Sequence, residues 1–598
     1  MSRSMPRARA LASLTAVLGL GLAAVAAVGT ATPAVSADPA GDCATPFPEA
    51  DLAAGDAVTG LTVTQGTTPE SFTGEVLGIL DDGIAPDVDM IMVRLSSPAI
   101  AEAGIWEGMS GSPVYAADGR LIGAVSYGLA YGHSPVAGVT PYESMDDYLA
   151  DTDAAASKVA VGRTAARQIA RRTSVTAAQA SEGFSQLPMR MGVSGVGARR
   201  LAAVTSHAAG HRWLARDTYA VGSAGRAATS ASDIVAGGNL AASYMYGDVT
   251  MAGVGTVTSV CGDRVVGFGH PMDLRGETSL ALHPADTIYI QDDLVTSFKI
   301  ANLGEPVGTI TDDRTTGITG TLGTLPHTVT VSSTLTYGDR TRTGVTHVAL
   351  DSADALASGI FYELIYNHQA VVDGPVRGTE DLAWTITGTD ADGAPFELSS
   401  SDLYASNGDL TWRIGFGVGD FVYSLAKVPG ISIDTISTTS ELTDDVSTKR
   451  VGSIEVKQDG EWTKVSQRHP GMLSTGKHDA RVSLSAGGEQ TTFPFEVTIP
   501  QRFSGRLGLF EVVGGSNVSI GRLPKDLDKI KEALADKVRA DEMLVLLRSG
   551  PKLHHGGHSS SATTVRGRSA SGKRYVTQVI GPVDSVVKGY SAGLMYVG

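Results

Sequence analysis

Six consecutive residues, Gly108-Met109-Ser110-Gly111-Ser112-Pro113, have the types and spacing that an acyl-transfer nucleophile requires. A serine hydroxyl attacks well from a tight turn that exposes Oγ, with backbone N–H groups aimed at the developing oxyanion and a scaffold that holds both still. Gly108 and Gly111 permit such a turn because they lack a Cβ. The frame puts the nucleophile on Ser110 rather than Ser112, and the oxyanion donors on the amides of Gly108 and Ser110. The next strand, Arg120–Tyr127, is expected to wall the substrate cleft. The plainer reading of the same residues is a glycine-rich hairpin between two buried strands.

A serine nucleophile needs a base, most often histidine. Of 13 histidines, His270 in Gly267-Phe268-Gly269-His270-Pro271 has the best setting. It follows two strands, Val254–Val260 and Arg264–Phe268, joined across Cys261-Gly262-Asp263. His133, in Tyr-Gly-His-Ser-Pro, is the alternative base; His207 and His283 have no supporting context. His554, His555 and His558 fall in a low-complexity loop, and no metal site is expected.

The stretch from Gly108 through Val-Tyr-Ala-Ala-Asp-Gly-Arg-Leu-Ile-Gly-Ala-Val-Ser-Tyr-Gly resembles the nucleophile region of chymotrypsin-like serine proteases. It resembles more closely the sporulation stage-four protein B (SpoIVB) peptidases, in which Gly-Met-Ser-Gly-Ser-Pro precedes a Gly-Lys/Arg-Leu-Ile-Gly-Ala-Val strand. The stretch AGVGTVTSVCGDRVVGFGHPMD is similar to the segment that supplies that family's catalytic histidine, which implies that His270 is the base. The resemblance covers residues 56–150 most closely and 235–335 more loosely, and no PDZ module is evident. It implies a chymotrypsin-like double β-barrel, no cofactor, and narrow regulatory cleavage that includes self-cleavage. Met109 replaces the Asp of trypsin-like zymogens, so activation by a freed N-terminus is not expected.

Two departures bear on the site. Ser110 precedes His270 by about 160 residues, the reverse of the family's order, which a triad tolerates because its geometry arises with different chain orders. The family's orienting Asp stands at a Thr-Asp-Pro step; here the step is Ser96-Ser97-Pro98. Asp273 and Asp89 are the candidates for the acid, with Glu102 and Glu107 nearby; a Ser–His dyad is the alternative.

These segments must be positioned by β structure. Residues 56–150 read as short strands punctuated by Gly, Asp and Pro, an antiparallel pattern. Residues 151–234 form an Ala/Arg-rich linker or insertion, with Arg163, Arg167 and Arg171 on one stripe of a solvated helix. The Arg171-Arg172 step and this whole linker are where a cut is expected first. Residues 235–335 return to strands, 336–520 read as β-sandwich-like modules, and 521–598 hold one amphipathic helix, a low-complexity loop and terminal strands. The fold class is mainly β: a double β-barrel with rearranged segment order, followed by β-rich modules.

Residues 1–37 read as a secretory signal, with Arg3, Arg7 and Arg9 before an apolar run and Val35-Ser36-Ala37 at the cut. No later apolar stretch reaches the ~18–20 residues of a membrane helix. The product is expected to be secreted or held at the cell surface. Cys43 and Cys261, the only cysteines, are candidates for a disulfide there. A net charge of −16 argues against a phosphate backbone as partner. The partner expected is a protein or peptide substrate. Two functions follow: a secreted serine endopeptidase, or a catalytically degenerate protease-like scaffold that binds peptides.

Overall fold

The structure, a computed structural model, describes residues 43–129, 133–146, 158–187, 191–208, 210–215, 218–220, 225, 228–293, 296–519, 521–550, 563–564 and 575–598. Residues 1–37, read above as a secretory signal, and His554, His555 and His558 lie outside them. The chain is mainly β, 50% strand and 18% helix, and contains two closed six-stranded antiparallel barrels.

The first barrel is built from β1 (Ala57–Thr62), β2 (Glu70–Ala85), β3 (Val88–Ser96), β4 (Pro113–Tyr115), β5 (Leu121–Leu129) and β6 (Val136–Pro141). Their order is β4-β1-β2-β3-β6-β5, and pairing of β4 with β5 closes the ring. In β1 the side chains alternate, with Val58, Gly60 and Thr62 turned inward, as a half-buried strand requires. β3 and β5 are covered on both faces and read as nearly continuous apolar runs. Phe72, Val76, Ile91, Val93, Val114, Ile122 and Val139 fill the interior, each contributing on the order of 1.5–3 kcal/mol by leaving water.

The second barrel repeats the plan with β7 (Asn239–Gly247), β8 (Met251–Cys261), β9 (Arg264–Gly267), β10 (Gly276–His283), β11 (Gly308–Arg314) and β12 (Gly317–Leu322). The ring runs β7-β8-β9-β12-β11-β10 and returns to β7. The two barrels are joined covalently by a Cys43–Cys261 disulfide, beside which the Cys43 amide donates to the Val260 carbonyl.

The region between the barrels is folded onto them rather than left as a tether. Helix Arg163–Arg172 buries Ala166 and Ile169, while Arg163, Arg167 and Arg171 face solvent in a stripe. The strand Phe184–Gln186 extends the first barrel's sheet by pairing with β5. Helix Ala198–His207 sends Leu201 and Val204 into a large apolar cluster that takes in second-barrel residues and much of the chain that follows.

The β-rich C-terminal half contains two long helices that the reading of 336–520 did not include. α1 (Ala353–Val372) and α2 (Leu410–Ala426) pack together on a sheet formed by Val329–Tyr337, Arg340–Val348, Gly378–Thr389, Pro395–Ser406 and Ser432–Thr443. α1 is buried on nearly every side, so its residues lack the polar stripe that marks a surface helix. Two five-stranded sheets then enclose one core between Thr448 and Val597, a sandwich that takes in the terminal strands as well. The amphipathic helix of that region is Leu527–Ala535, with Ile530 inward. No helix among the described residues is long and apolar enough to cross a membrane.

Candidate active site

Ser110 and His270 come together where the barrels meet. His270 Nε2 lies 2.8 Å from Ser110 Oγ, and both side chains are fully buried.

Ser110 sits at a turn immediately before β4. Inside the first barrel, the Gly111 amide donates to the Val125 carbonyl at 2.8 Å and the Val125 amide to the Ser112 carbonyl at 2.9 Å. From the second barrel, β8 fastens the other side of the turn. The Thr256 amide donates to the Ser110 carbonyl (2.8 Å), Thr256 Oγ1 to the Gly108 carbonyl (3.0 Å), and Thr258 Oγ1 to the Gly111 carbonyl (2.8 Å). Gly111 has φ +95°, and a Cβ there would stand 2.0 Å from the Thr256 carbonyl oxygen, so only glycine fits. Gly108 has φ +92°, and a Cβ on it would meet Lys299 Cβ at 2.7 Å.

Every carbonyl of this turn that β8 reaches is engaged, whereas two of its donors are left over. Among the described residues, neither the Gly108 nor the Ser110 amide donates a hydrogen bond. Unpaired backbone N–H groups in a buried setting are rare and costly. A pair of them flanking a hydroxyl has the arrangement that stabilises a tetrahedral oxyanion. Ser112 is excluded as nucleophile because its Oγ donates to Thr62 Oγ1 at 2.9 Å inside the first barrel.

His270 follows β9 through a strained turn. Phe268 takes φ +67°, a left-handed conformation that a bulky residue rarely adopts, and its ring is completely buried. The Gly269 carbonyl accepts from Thr140 Oγ1 of the first barrel at 2.6 Å, which fixes the turn across the interface. His270 Nδ1 lies 2.8 Å from the Pro271 carbonyl oxygen. The Pro271 carbonyl only accepts, so bonding to it puts the proton on Nδ1 and leaves the Nε2 lone pair for the Ser110 hydroxyl, whereas the Gln186 amide nitrogen, a donor 3.1 Å from the same Nδ1, favours the opposite tautomer. Burial pushes the His270 pKa down to about 4, offset in part by the Pro271 carbonyl, so the imidazole is neutral at neutral pH.

Asp273 and Asp89, the two candidates for the third position, are engaged elsewhere. Asp273 accepts from Tyr244 Oη and pairs with Arg275 at 3.0 Å. Asp89 accepts from the Asp82 amide at 2.7 Å. The group that does reach His270 is Gln186, whose Nε2 lies 3.1 Å from Nδ1 and donates to the Pro271 carbonyl at 3.1 Å. Nothing in the sequence pointed to Gln186, because its segment lacks the length and alternation of a readable strand.

The other histidines do different work. His133 Nε2 contacts the Asp293 carbonyl at 2.9 Å and Asp292 Oδ1 at 3.1 Å. His207 stacks on Trp412. His283 Nε2 lies 2.8 Å from Ser243 Oγ, with Nδ1 on the Gly304 carbonyl, a second buried Ser–His contact. Ser243 stands mid-strand in β7, paired with Ala252 on one side and Ala281 on the other. Ser110, by contrast, stands at a turn rather than within a strand, with Gly108 and Gly111 in positive-φ conformations on either side of it. Comparison of the chain with protein-family models, with curated proteins and with solved structures finds no match.

Proposed function

We propose that this chain is a serine endopeptidase of the sporulation stage-four protein B type, acting outside the cytoplasm. The observation that carries the reading is the 2.8 Å contact of His270 Nε2 with Ser110 Oγ, at a turn whose two flanking amides are uncommitted. The Cys43–Cys261 disulfide is in keeping with an oxidising compartment.

In this reading Ser110 Oγ attacks the peptide carbonyl carbon as His270 Nε2 takes its proton. The oxyanion is held by the Gly108 and Ser110 amides. The imidazolium then gives its proton to the departing amine, and the acyl-enzyme ester remains on Ser110. Water, deprotonated by the same imidazole, cleaves the ester and regenerates the hydroxyl. In the tautomer that donates to the Pro271 carbonyl, Nε2 is free to take the proton, and that carbonyl offers less charge stabilisation than a carboxylate. Slow, selective turnover suits such a site.

A fluorophosphonate probe tests the reading. Labelling of Ser110 that is lost in Ser110→Ala and reduced in His270→Ala supports the enzyme. A folded chain that labels nowhere favours the second reading, a peptide-binding scaffold, to which the missing carboxylate at His270 lends weight.

A further inference from the structure

Ser110 and His270 are both 0% exposed, so something of the chain's own covers them. The segment Phe184–Leu187 is placed to do so. Phe184–Gln186 runs antiparallel along β5, with Gln186 opposite Tyr127, Ser185 opposite Gly128 and Phe184 opposite Leu129. One residue on, the Leu187 amide donates to the Ser126 carbonyl at 3.0 Å. β5 is bonded to the nucleophile turn itself, through Val125. The segment therefore follows the cleft wall up to the reacting groups, and the Gln186 side chain touches His270.

Leu187 ends this approach in an apolar slot. It is 2% exposed and shares a cluster with Ile105, Trp106 and Met109, the residues just ahead of Ser110. Gly128 opens the slot: a Cβ there would stand 3.1 Å from Leu187 Cδ2 and 3.9 Å from Ile105. A strand added to a sheet edge takes its affinity from main-chain hydrogen bonds and its selectivity from the pockets that receive its side chains. Here the edge is the cleft wall and the pocket lies beside the nucleophile.

We infer that Phe184–Leu187 is an internal substrate mimic. It lies along the cleft wall in the register of a bound peptide, with Leu187 in the place of the residue ahead of the scissile bond, and its carbonyl is not bonded to the Gly108 and Ser110 amides, so it fills the cleft without presenting a bond for cleavage. This rests on the hydrolase reading above. Two properties follow. The cleft takes extended peptides with an aliphatic side chain of leucine size at that position and rejects a charged one, which the apolar slot would leave unpaired. The resting chain is self-inhibited, because a substrate enters only when this strand lifts, together with the Lys158–Val159 strand paired to it.

The test compares the full chain with Leu187→Asp. Each is treated with a small fluorophosphonate and with two peptidyl diphenyl phosphonates, Phe-Ser-Gln-Leu and Phe-Ser-Gln-Asp. Unseating the strand should speed labelling by the small probe roughly ten-fold or more, since reactivity scales with the open fraction. The Leu peptide should outrun the Asp peptide by a comparable factor. Equal labelling of both chains, with no preference between the peptides, overturns the mimic and leaves the hydrolase standing. No labelling of either chain by the small probe overturns the hydrolase, and the mimic with it. Should Leu187→Asp fail to fold, amide hydrogen exchange on the full chain decides. Labelling by the Leu peptide should strip protection from residues 184–187; protection that survives labelling overturns the proposal.

Discussion

His270 Nδ1 faces the backbone carbonyl of Pro271, its own chain neighbour, at 2.8 Å, in the position where an acid-assisted pair would hold a carboxylate. With no charge there, burial controls the ring, and its pKa falls to about 4. The resting protein should therefore show a neutral His270 throughout the neutral range, gaining its second proton only as pH drops through about 4. Nuclear magnetic resonance of ring-labelled histidine measures this directly. A midpoint at the ordinary value near 6.5 contradicts the buried geometry.

Gln186→Glu puts a carboxylate where an amide nitrogen now stands 3.1 Å from Nδ1. An opposite charge at that distance favours the imidazolium. The His270 midpoint should rise by about 1–3 pH units in the same titration. An unmoved midpoint means that residue 186 does not reach the ring in solution.

Gly111→Ala should damage the turn severely. The position has φ +95°, and the new Cβ would approach the Thr256 carbonyl oxygen to 2.0 Å. Strain of this kind, added to a displaced β8 contact, is expected to cost roughly 2–4 kcal/mol. Chemical denaturation gives the stability change, and Ser110 labelling should fall with it. A variant of unchanged stability would mean that the two barrels meet differently at this point.

Removing the disulfide in the double variant Cys43→Ser, Cys261→Ser releases a loop spanning 218 residues. The chain-entropy model puts the loss at about 5 kcal/mol, with native-state strain able to change that figure. The thermal midpoint compared with and without reductant checks it, and Ser110 labelling should decline in parallel as the inter-barrel contact loosens.

The parts of the site visible in the sequence were those made by short local patterns. A glycine-flanked serine announces its own turn, and a histidine set among glycines at a strand end stands out from the other twelve, although the burial of both side chains was not legible there. Their meeting also rests on hydrogen bonds from Thr256, Thr258 and Thr140, ordinary strand threonines with no local mark. The orienting group was illegible for a deeper reason: Pro271 acts through its carbonyl, which every residue has. Gln186 and Leu187 belong to a four-residue segment in a stretch that composition alone marks as a connector. α1 was hidden by its own burial, since a helix apolar on all sides gives the same run of residues as buried strands.

The bond between Cys43 and Cys261 brackets the whole inter-barrel region, the Phe184–Leu187 segment included. Severing the backbone anywhere inside that bracket would not separate Ser110 from His270. The product would be a two-chain molecule, intact on a non-reducing gel and split by thiol, in which a clipped covering strand is free to leave while Ser110 and His270 stay tethered.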